Sequence, residues 1–354
     1  MMGNSEWLKV ESKKAAWKDW QIIYLAKNAP FLRFYGLTKW RWLAFFMAGV
    51  EIRQYKMVKG SLVGGPYNSI LADYIEVVSD VMRTNLNLGD YVITLDDFGN
   101  TDGFDIFNAT AFPAFGVNYV SVSSGVFFHS HTFVRSLQPF LMGMRPPRLI
   151  SRLLLHNFRK SAIGYLSNDH TRSLHSLRFL PEDDGLLEGV ELFIVAHEMY
   201  HIAYGNNTQI ADVFNSFYSP PVIQKCQSNE ETGADGFGVI LLFYHQKATG
   251  SRIMPYSPCF LFKLLSLFED IMGQKNESDG VHPTNEERYV LVAKMMEDLH
   301  IDADIEDRSA IITNLVLPMG DIIRHRVNKI IEERAELSKI HDEIWSVVMN
   351  EYSS

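Results

Sequence analysis

Apolar residues recur at helical spacing along most of this chain. In YNSILADYIEVVSDVMRTNLN the residues Ile70, Tyr74, Val77, Val78, Val81 and Met82 share one face, which predicts an amphipathic helix. Residues 5–58, rich in Trp, Lys and Leu, also read as helical and end near the glycines of KGSLVGGP. Two stretches alternate instead. DYVITLDD reads as a strand, FGNTDGFDIFNATAFP as the loop after it, and VNYVSVSSG as a second strand ending at Gly125.

Residues 126–180 read as an inserted helical lobe. After Pro181 the acidic turn EDDG precedes LLEGVELFIVAHEMYHIAYG, with Gly205 as a C-terminal cap. Phe193, Ile194, Val195, Met199 and Ile202 cover several faces of this helix, so it should be buried. PPVIQKCQSNEETGADGFGVILLFYHQ reads as one long helix that its prolines open. SPCFLFKLLSLFEDIMG reads as another. In HPTNEERYVLVAKMMEDL, Thr284 and Glu287 form a capping-box pattern that opens a helix near residue 285. The tail from Glu306 onward reads as two more helices. The sum is an α+β, mostly helical protein with one small sheet: an N-terminal helical segment over 1–62, a core over 63–300 with its lobe at about 126–185, and a helical tail over 301–354.

At 354 residues the chain can bury a large core. A net charge of -9 argues against a general nucleic-acid binder. The nine-residue apolar run WLAFFMAGV is too short to span a bilayer, which takes about 20 residues, so no integral membrane segment is expected. The N-terminus lacks the apolar core of a signal peptide. Two cysteines, Cys226 and Cys259, among fourteen methionines suit a reduced cytoplasmic protein.

The chemistry concentrates in VAHEMYHIAYG. His197, Glu198 and His201 spell H-E-x-x-H, which on a helix turns both imidazoles to one face. A hydrolytic zinc usually takes three protein ligands and keeps one position open. A third histidine after H-E-x-x-H-x-x-G fails here, because the glycine position is Tyr204 and the last histidine position is Asn207. An upstream cysteine fails too, since both cysteines lie downstream. EETGAD remains: Glu231 can bind the metal while Asp235, four residues on, holds an imidazole by its second nitrogen. Glu230 is the fallback ligand. Gly233, Ala234, Gly236 and Gly238 are small enough for this helix to press against the histidine helix. The bland alternative is that Ser228 caps the helix, Glu231 closes its capping box and Asp235 is solvated. His129 and His131 in HSH would share a face on a strand, but no acidic partner is near in sequence, and they read as surface or loop histidines. His170, His175 and His245 rank lower, and Cys226 reads as packed.

HEMYH, EETGAD and HPTNEER, in this order after NATAF and SSG, resemble the HtpX-like and CaaX-prenyl-endopeptidase group of gluzincin metalloproteases. The resemblance covers roughly residues 68–297. Its most specific part is Glu231 to Asp235 together with His282, Pro283 and Arg288. The phage-exclusion Lit type of peptidase, soluble and dedicated to one intracellular protein, is a possible nearest relative. The resemblance implies a zincin-like core with a small mixed sheet and an active-site H-E-x-x-H helix. It implies one zinc ion per chain on His197, His201 and Glu231, with Glu198 as general base. Asp235 would orient His197 or His201, His282 would gate the site or stabilise the oxyanion, and Arg288 would pair with a carboxylate of the second helix. The strand residues Asn118, Tyr119, Val120, Ser121 and Val122 would form the edge on which an extended substrate pairs. Unlike the well-known members, this chain shows neither membrane helices nor a signal peptide, and residues 126–185 exceed the expected spacing.

Two functions follow as expectations. One is a cytoplasmic zinc endopeptidase acting on a protein or peptide substrate. The other is a non-catalytic binding or regulatory protein built on the same scaffold.

Overall fold

A computed structural model describes residues 66–86, 88, 109–114, 117–168, 185–204, 209–250, 255–274, 283–301 and 304–351. The expected N-terminal helical segment, the strand in DYVITLDD, and His170, His175, Gly205 and His282 lie outside the described residues.

The chain order is α1 (Pro66–Thr84), β1 (Ala109–Ala114), β2 (Val117–Val122), α2 (Ser124–Leu141), α3 (Arg148–Ser167) and α4 (Gly185–Tyr204). Then come α5 (Gln209–Phe217), α6 (Pro220–Ser228), α7 (Glu230–Thr249), α8 (Ser257–Met272) and α9 (Asn285–Asp298). α10 (Ile305–Val316) and a 3-10 turn (Leu317–Met319) lead into α11 (Gly320–Glu351).

The α4 helix is the axis of the molecule. Leu192, Val195, Ala196 and Met199 are fully buried, and α7, β1, α2, α8 and α1 pack round it. A helix apolar on every side demands such a jacket. Its one buried acid away from the metal motif, Glu191, accepts a hydrogen bond from Tyr74 Oη of α1 at 2.8 Å.

The expected α+β class is corrected. Helices make up 86% of the interpretable part. The only extended segments among the described residues are β1 and β2, which form a single antiparallel hairpin with Ala109 opposite Val122 and Ala114 opposite Val117. No mixed sheet, and hence no zincin-like sheet core, is seen there. The physical reason is that helices supply the cover: α1, α2, α7 and α8 already enclose most of α4, and the hairpin closes one remaining side through Val120 and Val122. β1 falls in the stretch read as a loop. Pro113 and the preceding Asn108 mark a turn in the sequence, yet Pro113 is accommodated opposite Asn118 in a two-stranded ladder.

Two further local readings change. The helix expected from Pro220 through Gln246 is two helices broken at Asn229, whose backbone is extended (φ -149°, ψ 132°). The Asn229 side chain accepts from the backbone N–H groups of Glu231 and Thr232, so Asn229 rather than Ser228 is the cap. HSH lies on α2, not on a strand. His129 is fully buried, with Nδ1 2.9 Å from Ser161 Oγ and its ring stacked on Phe133. The capping box at Thr284 and Glu287 is present in both halves and starts α9 at Asn285.

α2 and α3 contribute Phe133, Val134, Leu137, Phe158 and Ala162 to the same hydrophobic core as α4. α11 returns along α3, where Arg334 donates to the carbonyls of Ser167 and Asn168 at 2.8 and 2.9 Å. Among the described residues no helix is long and apolar enough to cross a membrane.

Candidate metal centre

Two packed helices and one cap build the site. α4 carries His197 and His201 one turn apart, and α7 lies against it more extensively than any other helix. That contact depends on missing side chains: a Cβ at Gly238 would sit 2.7 Å from Phe193 Cδ2, and one at Gly233 would collide with the Tyr200 hydroxyl. With α7 this close, its first turn faces the histidines. Asn229 fixes that turn, and the acids Glu230 and Glu231 suit the positive end of the helix.

Three ligand atoms converge. His197 Nε2 lies 3.3 Å from His201 Nε2 and 3.3 Å from Glu231 Oε2, and His201 Nε2 lies 3.6 Å from Glu231 Oε1. A tetrahedral zinc with N and O ligands at about 2.0–2.2 Å sets its ligands roughly 3.3–3.6 Å apart. The group fits that tetrahedral face, and it is the one cluster of potential ligands found among the described residues.

Each imidazole is held from behind. His197 Nδ1 is 3.0 Å from Asp235 Oδ1, and His201 Nδ1 is 2.9 Å from Glu230 Oε1. A carboxylate on Nδ1 keeps the proton there, which leaves the lone pair on Nε2. Two such lone pairs and a carboxylate facing one point repel one another unless a cation lies between them. The chemistry of the donor set therefore suits a divalent metal.

Protons and a metal compete for these groups. Burial pulls the proton affinity of His197 down, but the hydrogen bonds it donates to Asp235 and Glu231 outweigh it and push its pKa up to about 9. The His197 hydrogen bond holds Glu231 down at about 2, against the opposing effect of burial. Asp235 has no exposed surface. Burial favours its neutral form, yet Arg288 wins and holds the carboxyl below its usual range. Arg288 donates Nε to Oδ2 at 2.8 Å and Nη2 to Oδ1 at 2.6 Å, while its guanidinium stacks on Phe262 with Cζ 4.3 Å from the ring centre. The paired N–H groups match the carboxylate edge, a geometry lysine cannot supply.

The three groups form the polar end of a cleft of about 580 Å³. Glu198 lines it too, and burial raises its pKa despite the pull of His197 and His201. Its apolar lining includes Val126, Ile194, Leu261 and Leu265.

The structure thus brings together His197, Glu198, His201, Glu231, Asp235 and Arg288. Of the two histidines, Asp235 is hydrogen-bonded to His197. Glu230 stands behind His201 rather than replacing Glu231. The expected substrate edge, Asn118 to Val122, is β2; Val120 and Val122 face the core, and the strand residues that line the cleft are Ala109 and Ala111 of β1. The Tyr204 side chain is outside the described residues. His245 is buried on α7, 3.9 Å from Glu188, and takes no part in the cluster. Sequence reasoning missed the Nδ1 partner of His201 and the place of β1. Two adjacent glutamates signalled the first without saying which faces the metal.

No protein-family model matches this chain, and neither the curated proteins nor the solved structures contain a match to it.

Proposed function

We propose that this protein is a zinc-dependent endopeptidase, with His197, His201 and Glu231 holding one zinc ion per chain and Glu198 acting as general base. One observation carries the reading. Two imidazole Nε2 atoms and a carboxylate meet at tetrahedral spacing, each imidazole backed by its own acid, in a cleft that Glu198 shares.

Zinc bound there supplies Lewis acidity, lowering the pKa of water from about 15.7 to about 7 and polarising a carbonyl. The remaining work falls to the chain. Glu198, whose proton affinity burial raises, accepts the proton of the attacking water. It then delivers that proton to the amine nitrogen as the C–N bond breaks. Arg288 fixes Asp235, and Asp235 fixes the ring plane of His197, so the ligand set needs little reorganisation.

The rest of the cleft suits a polypeptide. Its apolar lining accepts an apolar side chain next to the scissile bond. Among the described residues β1 pairs with β2, and its Ala109 and Ala111 line the cleft, where an extended segment would run beside the strand. The substrate is therefore protein or peptide rather than nucleic acid. Cys226 and Cys259 are both buried and unpaired, which supports a reducing, cytoplasmic setting.

Incubation with an unfolded protein substrate tests the activity. Hydrolysis should stop on chelation, return with zinc, and be lacking in Glu198→Gln; cleavage that persists under chelation would overturn the assignment.

A further inference from the structure

The corner between α2 and α3 stands out among the described residues. Residues 124–168 hold six basic side chains (Arg135, Arg145, Arg148, Arg152, Arg159 and Lys160) and no Asp or Glu, in a chain whose net charge is -9. The same corner exposes aliphatic side chains. Leu149 is 70% exposed, and Met142, Met144, Ile150 and Leu153 lie between 39% and 51%.

The helix geometry explains the arrangement. α3 buries Leu154, Phe158 and Ala162 against the core. Arg148 and Arg152 form one outward stripe at i and i+4, and Leu149 and Leu153 form the next. The turn at Met142–Pro147 adds Met144 and Arg145 to the tip. Among the described residues Arg145, Arg148, Arg152 and Lys160 have no ion-pair partner.

We propose that this corner docks the protein on an anionic lipid bilayer, with Met144, Leu149 and Leu153 entering the interface and Arg145, Arg148 and Arg152 meeting lipid phosphates. Charge complementarity carries the choice of occupant. Aliphatic side chains set between arginines on an exposed corner match the boundary between acyl chains and headgroups, where long basic side chains reach back to the phosphates. The chain's own N-terminal segment is the wrong sign to cover the patch: residues 1–62 carry eleven Lys and Arg against four Asp and Glu. Apart from residues 1–62 the rest of the chain is acidic, so among the described residues the attraction to anionic lipid is local and sets an orientation. This inference does not depend on the metal centre.

Vesicle co-sedimentation of the full chain tests it. The protein should bind phosphatidylcholine vesicles containing about 30% phosphatidylserine, not pure phosphatidylcholine, with affinity that falls as salt rises. Arg145→Gln/Arg148→Gln/Arg152→Gln should weaken binding about 100-fold, each arginine contributing near the surface. Leu149→Ser/Leu153→Ser should also lose binding; both side chains are exposed, so an unchanged circular dichroism spectrum is expected. Absent binding to the anionic vesicles would overturn the proposal. So would full binding by both variants, which would place the contact elsewhere. Self-association that these variants abolish, without vesicle binding, would make the corner a protein interface instead.

Discussion

Glu198 follows a proposed ligand by one residue, so its side chain leaves α4 about 100° round from His197 and reaches the same cleft without joining the ligand set. Glu198→Gln keeps the shape and removes the base. The expected outcome is normal zinc content with peptide hydrolysis down by about 10²–10⁴-fold, measured by metal analysis beside a peptide assay. Asp235→Asn tests the support behind His197. Zinc affinity should fall about 10–100-fold in chelator competition. Denaturant unfolding should also show a loss of about 1.5–3 kcal/mol, because the partly buried Arg288 loses its charged hydrogen-bond partner and keeps Glu231, 3.9 Å away, as an ion-pair partner. An unchanged unfolding midpoint would mean that the Arg288–Asp235 pair contributes nothing to the fold. The pairing of His197 with His201, and of Glu231 with Asp235, was legible because four-residue spacing on a helix is local geometry. The division of labour between Glu230 and Glu231 was not. It depends on how α7 is rotated against α4, which tertiary packing decides.

The contact between α4 and α7 sets the centre's dimensions. Gly238→Ala places a methyl against the buried Phe193 ring and should cost about 1–3 kcal/mol by overpacking, seen as a lower melting temperature. Asn229→Ala removes the cap that fixes the turn bearing Glu230 and Glu231. About 1 kcal/mol of stability should go with it, together with faster loss of zinc to chelator. A variant that kept both its melting temperature and its zinc retention would separate the cap from the site. The capping box at Thr284 could be read directly, since both halves lie within three residues. The break at Asn229 could not: no proline interrupts SNEETGAD, while the asparagine side chain competes locally for the backbone N–H groups. His129 was misplaced for a related reason, since an alternating spelling says nothing of the helix that continues past it.

For the whole molecule, the mostly helical character and the burial of α4 followed from hydrophobic periodicity, whereas the sheet did not. Alternation marks a strand, but how many strands join depends on segments far apart in sequence, and the described residues hold a single hairpin. If the metal links helices from distant parts of the chain, its removal should be felt globally. Calorimetry with and without chelator should show a lower melting temperature without zinc; about 2.7 kcal/mol of stabilisation corresponds to free metal at 100 times its Kd. Identical transitions would mean that the ion is not coupled to the fold.

The most direct test is zinc content by elemental mass spectrometry after metal-replete purification, run on the wild-type chain, Glu231→Ala and Glu198→Gln together. The account predicts one zinc per chain in the wild type, the same in Glu198→Gln, and a marked loss in Glu231→Ala. A wild-type protein without zinc, or a Glu231→Ala variant that retains it in full, would contradict the proposed centre.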